Sequence, residues 1–321
     1  MSDLSSVETP DAPTARAAEL KILAEVFQPG FLRKLDRLQI RVRHSLATRP
    51  GNTPMPHGAQ ATGIELANYK SYDPGDDLRY LDWNAYGRLD QLLIKTFRAE
   101  REAALHVLID CSASMQVPAG DGKFAFAQGL AASLAYVSLR NNDPVRLVAL
   151  SAQHGQLIRT SPWFRHRDAV GHLRAYVVSL RARGETTLAE SVRDYANQAR
   201  VPGVAIIVSD FLTEANQYQA ALQSLAGRGW TLGAVRLLGP GERDPSTLFR
   251  RGRLRDAETG AERVITLTAA NRQRYEAALT AHLDELRAWC TRHEVYFAVV
   301  DPLAGLEHAL FDDLPAAGMI R

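Results

Sequence analysis

Strand-like apolar runs alternate with helical patterns from residue 103 onward, and this alternation limits the possible folds more than any other feature. The predicted strands cover residues 105–110, 145–152, 204–210, 231–238 and 295–300. The helical patterns between and around them cover residues 123–140, 165–180, 188–200, 214–225 and 269–293. Strands that are apolar on both faces and separated by helices are typical of a parallel sheet covered by helices on each side. The sequence therefore predicts an α/β domain with a doubly wound, mostly parallel sheet.

The first hundred residues follow a different pattern. Ser, Thr, Pro, Asp and Ala dominate at the start of the chain, and such a composition predicts a disordered tail. A basic amphipathic helix is expected to begin at Pro29 and to end at the Arg-Pro-Gly turn over 49–51. A short strand is predicted over 64–72, and much later a hairpin over 248–267 that turns around 256–260. We expect three parts: a tail over 1–20, a helix and small turn-rich element over 21–100, and the α/β domain over 101–321.

Composition narrows the classes of protein that fit. The chain has 321 residues, of which 46% are hydrophobic and 23% are charged, and its formal net charge is +2. This balance fits a soluble globular protein with no overall attraction to nucleic acid. Cys111 and Cys290 lack partners at disulfide or zinc spacing, which favours a reducing compartment.

Membrane segments and targeting signals are not predicted. No apolar run approaches the roughly 18 to 20 residues that a membrane-spanning helix needs, and the N-terminal residues are unlike a secretory signal. We therefore expect a cytoplasmic protein. The basic helix that is expected from Pro29 leaves peripheral contact with an anionic membrane open, beside the commoner packing of its leucines on the same protein.

Oxygen donors cluster where the first predicted strand ends. Asp110, Ser112 and Ser114 lie on the turn that leaves this strand, and they suit Mg²⁺, Mn²⁺ or Ca²⁺ better than zinc or copper. Asp210 ends another predicted strand. Ligands of such sheets bind beyond the carboxyl ends of the strands, so both carboxylates are expected at one edge. The sequence thus predicts a divalent-ion site.

A loop between those two strands carries a further candidate. Thr186 belongs to the segment Gly-Glu-Thr-Thr-Leu over 184–188, just before a predicted helix. From the residues alone, Thr186 is either an N-cap of that helix or part of the ion site.

The order of these motifs resembles the metal-ion-dependent adhesion site of von Willebrand factor A-type domains. That site combines Asp-x-Ser-x-Ser, a Gly-x-Thr-x-Leu loop and a strand that ends in Ser-Asp, all of which occur here in order. The resemblance implies that Ser112, Ser114 and Thr186 bind Mg²⁺ directly. It implies that Asp110 and Asp210 hold the metal's waters or bind the metal in some states. A Glu or Asp of a partner protein would fill the remaining position.

A second and more specific pattern precedes the α/β domain. It consists of Tyr72, Pro74, Gly75, Asp76, Asp77, Arg79, Asp82, Trp83, Arg88 and the Glu-Arg-Glu run over 100–102. This pattern resembles the bacterial domain-of-unknown-function family 58, whose members join such an element to a von Willebrand A-like domain. The resemblance covers roughly residues 30 to 310. The residues themselves leave open whether the element is purely architectural or a docking surface.

The two resemblances imply a non-enzymatic, Mg²⁺-dependent protein-binding adaptor. Its implied partners are a MoxR-type AAA ATPase and a client protein that offers a carboxylate, in the maturation or assembly of that client. Two alternatives stay open, namely a metal-dependent phosphohydrolase and a scaffold with a vacant metal site. The chain contains neither a Walker motif nor a Gly-x-Ser-x-Gly elbow, so the residues predict no ATP site and no serine nucleophile of that class.

Overall fold

The computed structural model describes most of the chain, and the chain divides into two compact units. The described residues are 5–6, 12–40, 64–74, 78–99, 104–153, 156–185, 187–199, 202–249, 251–255 and 261–321. One unit combines residues 1–43 with 103–321, and the other contains residues 44–102.

Strands and helices are numbered in chain order. The strands are β1 (Ser5–Ser6), β2 (Ile64–Ser71), β3 (Leu93–Ala99), β4 (Leu105–Asp110), β5 (Val145–Gln153), β6 (Gln156–Thr160), β7 (Val204–Ser209), β8 (Thr231–Leu237), β9 (Arg251–Arg255), β10 (Glu262–Thr266) and β11 (Tyr296–Val300). The α-helices are α1 (Ala12–Val26), α2 (Pro29–Leu35), α3 (Trp83–Leu89), α4 (Lys123–Arg140), α5 (Val170–Ser179), α6 (Leu188–Gln198), α7 (Ala215–Ala226), α8 (Pro240–Arg243), α9 (Ala269–Arg292), α10 (Leu306–His308) and α11 (Leu314–Ala316).

A largely parallel six-stranded sheet forms the centre of the larger unit. Its strand order is β11-β8-β7-β4-β5-β6, and only the pairing of β5 with β6 is antiparallel. This confirms the predicted mixed α/β class with a mostly parallel sheet. The predicted strands agree with the observed ones to within one or two residues, whereas the edge strand β6 was not predicted.

Helices cover both faces of this sheet because its strands are apolar on both sides. Val107 and Ile109 of β4 belong to a core that also includes side chains of α1, α4 and α5. Leu108, which points to the opposite face, belongs to a second core with side chains of α6, α7 and α9. The continuous apolar runs in the sequence thus reflect burial on two sides.

The N-terminal expectation needs correction. Helix α1 begins at Ala12, so residues 12–20 of the expected tail are helical. The Ala- and Leu-rich stretch favours a helix, and Leu23 and Val26 are buried in the core that includes α4. The described residues 16–40 therefore group with the α/β unit and not with the turn-rich element. Helix α2 ends at Leu35, and the expected continuation over 41–51 lies outside the described residues.

The smaller unit contains an antiparallel pair and a short helix. Strands β2 and β3 pair with a register shift between Leu66 and Asn68. Asp82 caps α3, because its Oδ1 accepts hydrogen bonds from the backbone N–H groups of Asn84 at 3.0 Å and Ala85 at 3.1 Å. This gives Asp82 an architectural role. Residues 75–77 of the predicted turn lie outside the described part of the chain.

The predicted hairpin near the C-terminal end is confirmed. Strand β9 pairs with β10 in antiparallel register, and β1 runs parallel to β9. The expected turn at 256–260 lies outside the described residues.

Candidate functional site

Two acidic residues follow neighbouring parallel strands at the same edge of the main sheet. Asp110 is the last residue of β4, and Asp210 follows the last residue of β7. The two strands are paired directly, with Ile109 opposite Val208. Both carboxylates are buried, with 2% of each residue exposed. The predicted placement at one edge is what the structure has.

Hydrogen bonds hold the Asp110 carboxylate on both oxygens. The backbone N–H of Ser112 donates to Oδ1 at 2.9 Å, and the Ser209 hydroxyl donates to Oδ2 at 2.6 Å. Burial and repulsion by Asp210 raise the pKa of Asp110 to about 6, although these two hydrogen bonds oppose the rise. The Asp110 carboxylate is therefore held in place by hydrogen bonds and repelled by the negative charge of Asp210.

The two predicted serine ligands lie side by side on the turn after β4. The hydroxyl oxygens of Ser112 and Ser114 are 2.9 Å apart, and the side chain of Ser114 helps to lower the pKa of Asp210. The turn is tied to the next loop through the N–H of Ala113, which donates to the Gly184 carbonyl at 3.0 Å. Thr186, which follows in that loop, lies outside the described residues, so its predicted role stays a prediction.

Lys123 makes the strongest contacts of Asp210. Its ammonium lies 2.8 Å from Asp210 Oδ2 and 2.5 Å from Glu242 Oε1, with its side chain fully buried. The other oxygen of Asp210, Oδ1, accepts from the N–H of Leu212 at 3.2 Å. Burial would raise the pKa of Asp210, but the ion pair with Lys123 outweighs burial and holds that pKa below its usual value. Asp210 is thus an ionised and fully partnered carboxylate.

Glu242 and Asp121 connect this ion pair to the loop after β8. The Asp121 carboxylate accepts hydrogen bonds from the N–H groups of Gly241 at 2.9 Å and Glu242 at 3.2 Å. Burial raises the pKa of Glu242 to about 7, against the attraction of Lys123. One oxygen of Glu242, Oε2, has no hydrogen-bond partner among the described protein atoms.

A second buried cation, Arg236, lies near these acids. Arg236 of β8 is fully buried, and none of its guanidinium nitrogens has a hydrogen-bond partner among the described protein atoms. Burial lowers the pKa of Arg236, and the charges of Glu242 and Asp210 oppose that shift. We call the six buried charged side chains at this edge the acidic edge cluster: Asp110, Asp121, Lys123, Asp210, Arg236 and Glu242.

The donors brought together are chemically suited to a hard cation. Carboxylates and hydroxyls are the side-chain ligands that Mg²⁺ prefers. In the described part of the chain no group of three or more His, Cys, Asp or Glu side chains is arranged around a common point. A site that uses Ser112 and Ser114 beside two carboxylates would not contain such a group.

Sequence reasoning assigned no role in the site to Lys123, Ser209 or Glu242. A signal for Lys123 was available, because it is the only charged residue of α4 before Arg140 and it begins a helix that is buried along nearly its whole length. A lone cation at the start of such a helix must find buried anions. Nothing in the local sequence pointed to Glu242, which is 119 residues away from Lys123.

The chain belongs to the family described as "Protein of unknown function DUF58". The family model matches residues 68–303, which is well over half of the chain. This match confirms the resemblance to family 58 that the Tyr-x-Pro-Gly-Asp-Asp element indicated.

Similar curated proteins are described as uncharacterized. The chain is 28% identical over 225 residues to the uncharacterized protein Mb1516 of Mycobacterium bovis, covering 68% of this chain and 69% of that protein. The same values hold for the uncharacterized protein Rv1480 of Mycobacterium tuberculosis.

Two solved structures are similar at low scores. A conserved hypothetical protein BatB from Bacteroides thetaiotaomicron is 15% identical, with a TM-score of 0.36, over 59% of this chain and 99% of that chain. An aerotolerance-related membrane protein from Bacteroides fragilis NCTC 9343 is 15% identical, with a TM-score of 0.41, over 67% of this chain and 99% of that chain. Scores this low carry no argument about function.

Among the helices of the described residues, none has the length and apolar character needed to cross a membrane.

Proposed function

We propose that this chain is a non-enzymatic, Mg²⁺-dependent protein-binding adaptor with a von Willebrand A-like ion site. The observation that carries the proposal is the gathering of Asp110, Ser112, Ser114 and Asp210 at one edge of a parallel sheet. These are four of the five side chains that the motif order predicts. Edges of this kind are where α/β sheets bind their ligands.

The balance of buried charge supports a divalent cation. When all its members are ionised, the acidic edge cluster has four carboxylates and two cations, which leaves two negative charges uncompensated. Buried charge without a counter-ion is costly. One Mg²⁺ would balance the excess. Burial is the main cause of the raised pKa values of Asp110 and Glu242, and repulsion by Asp210 adds to both.

The ligand types suggest how Mg²⁺ would take part in recognition. Ser112 and Ser114, with Thr186 as predicted, would be neutral ligands, while Asp110 and Asp210 would hold waters of the cation. A cation bound mostly by neutral hydroxyls keeps much of its charge and attracts an anionic ligand. An Asp or Glu on the surface of a client protein would supply that ligand.

Family membership supports a more specific partner. By resemblance within family 58, the ATP-driven partner would be a MoxR-type AAA ATPase in the cytoplasm, and this chain would bring the client to it. The absence of a Walker motif from the sequence agrees with a division of labour between two proteins.

A scaffold that works without metal is a second candidate, and Lys123 favours it. Its ammonium already gives Asp210 Oδ2 a partner, so Asp210 needs no added ion as a counter-charge. Such a scaffold would bind the same proteins in the presence or absence of Mg²⁺.

Affinity capture from cell extract separates these candidates. We expect wild-type protein in Mg²⁺ to retain an AAA ATPase or a client, and expect EDTA or Asp110→Ala to remove it, because each removes part of the ion site. Mass spectrometry identifies the retained proteins, and Asp194→Ala, at a half-buried position of α6, is a control for the loss of an acidic side chain. The same partners in all samples would favour the scaffold. Phosphoester turnover that Asp210→Ala abolishes would favour a phosphohydrolase instead.

A further inference from the structure

Lys123 stands in an unusual place for a lysine. It is the first residue of α4, where the helix dipole disfavours a positive charge. It is also among the largest fully buried side chains of the described chain. Neither helix stability nor solvation explains the position, so its two ion pairs must account for it.

Those ion pairs satisfy carboxylates that would otherwise be buried and unpaired. Burial alone would lower the pKa of Lys123, but the attraction of Asp210 and Glu242 outweighs it and raises that pKa. Lys123 thus places a buried positive charge between two carboxylates at the candidate metal site.

We infer that Lys123 is an internal counter-cation that supports the site without metal and weakens its affinity for Mg²⁺. The inference rests on the proposed function, since it concerns how tightly that same site holds its cation. A fixed positive charge repels Mg²⁺ and shares an acid with it. The site would then bind Mg²⁺ weakly enough for the occupancy to depend on a partner that adds its own carboxylate.

Substitution of Lys123 by the similarly long but uncharged Met tests the inference. Lys123→Met should bind Mg²⁺ at least about tenfold more tightly than the wild type, because the competing charge is gone. In EDTA the variant should have a lower melting temperature than the wild type, and MgCl₂ should raise its melting temperature by more than it raises that of the wild type. Isothermal titration and thermal unfolding of the full chain measure both quantities.

Two further variants keep the test decisive. In Lys123→Met, Asp210 and Glu242 both lose their ion-pair partner. The double variant Lys123→Met/Glu242→Gln replaces one of these two carboxylates by a neutral amide, so it provides a folded reference if the single variant fails to fold without metal. This double variant should bind Mg²⁺ more tightly than Glu242→Gln alone. Lys34→Met, which removes an exposed lysine that pairs with Glu307, controls for the loss of one positive charge and should leave Mg²⁺ binding unchanged.

The outcomes separate this inference from the proposed function. The role of Lys123 would be overturned if Lys123→Met bound Mg²⁺ no more tightly than the wild type, and if the double variant bound it no more tightly than Glu242→Gln. The proposed metal site would remain intact in that case. No saturable Mg²⁺ binding in any variant would overturn the proposed function together with the inference.

Discussion

Gly239→Ala is expected to lower the free energy of unfolding by about 2 to 4 kcal/mol. A methyl group at Gly239 would lie 2.3 Å from Cγ and 2.4 Å from Oδ2 of Asp121, which is far inside van der Waals contact. Asp121 cannot move away freely, because it is buried and accepts hydrogen bonds from the N–H groups of Gly241 and Glu242. The substitution should therefore also displace Glu242 from Lys123. Urea unfolding followed by circular dichroism measures the loss.

Gly120→Ala is the matched control for this substitution. Gly120 is the neighbour of Asp121 in sequence, yet a methyl group there would meet no atom within 4 Å. We expect its stability to stay within about 0.5 kcal/mol of the wild type, as for other surface substitutions. If Gly239→Ala were as stable as Gly120→Ala, this result would contradict the close packing of the loop after β8 against Asp121.

Acid should destabilise the protein through His106. Burial, with a smaller contribution from Arg146, lowers the pKa of His106 to about 3, whereas the unfolded chain binds this proton near pH 6.5. The stability that the neutral ring provides is complete above pH 6.5 and is lost as the pH falls towards 3. The expected slope from this one group approaches about 1.4 kcal/mol per pH unit below pH 6, so about 2 kcal/mol is lost between pH 6.5 and pH 4.5.

A paired replacement isolates this contribution from that of other acids and bases. His106 Nδ1 lies 2.5 Å from the Tyr195 hydroxyl, so His106→Leu/Tyr195→Phe removes both polar partners together. Below pH 6, the free energy of unfolding of this variant should depend less steeply on pH than that of the wild type. The expected reduction corresponds to about one proton fewer taken up on unfolding. Tyr195→Phe alone keeps the imidazole and should retain the slope of the wild type. An unchanged slope in the double variant would contradict the assignment to His106.

The core of the fold could be predicted because its signal is local. Strand β4 and helix α4 have the bounds that the apolar patterns predict, since burial on both faces leaves continuous apolar runs. Strand β6 was missed because it is an edge strand whose residues are half-buried or exposed, and only two of its five residues are apolar. Helix α1 was missed because the composition of the first residues is typical of a disordered tail, whereas Leu23 and Val26 of this helix pack on the core.

The candidate site was predictable only in part, for a related reason. Asp110, Ser112 and Ser114 lie within one turn, so their proximity follows from the sequence itself. The pairing of Lys123 with Asp210 joins residues 87 positions apart. Such contacts depend on strand order and on how the loops after the strands fold back. Single-sequence patterns carry neither kind of information.

Binding of Mg²⁺ to the purified chain tests the central claim most directly. In an isothermal titration with MgCl₂, we expect weak but saturable binding of a single Mg²⁺ to the wild type. We expect Ser112→Ala/Ser114→Ala, which removes the two described hydroxyl ligands, to lose this binding while remaining folded. Equal binding by both proteins, or no binding by either, would contradict a metal site at this edge of the sheet.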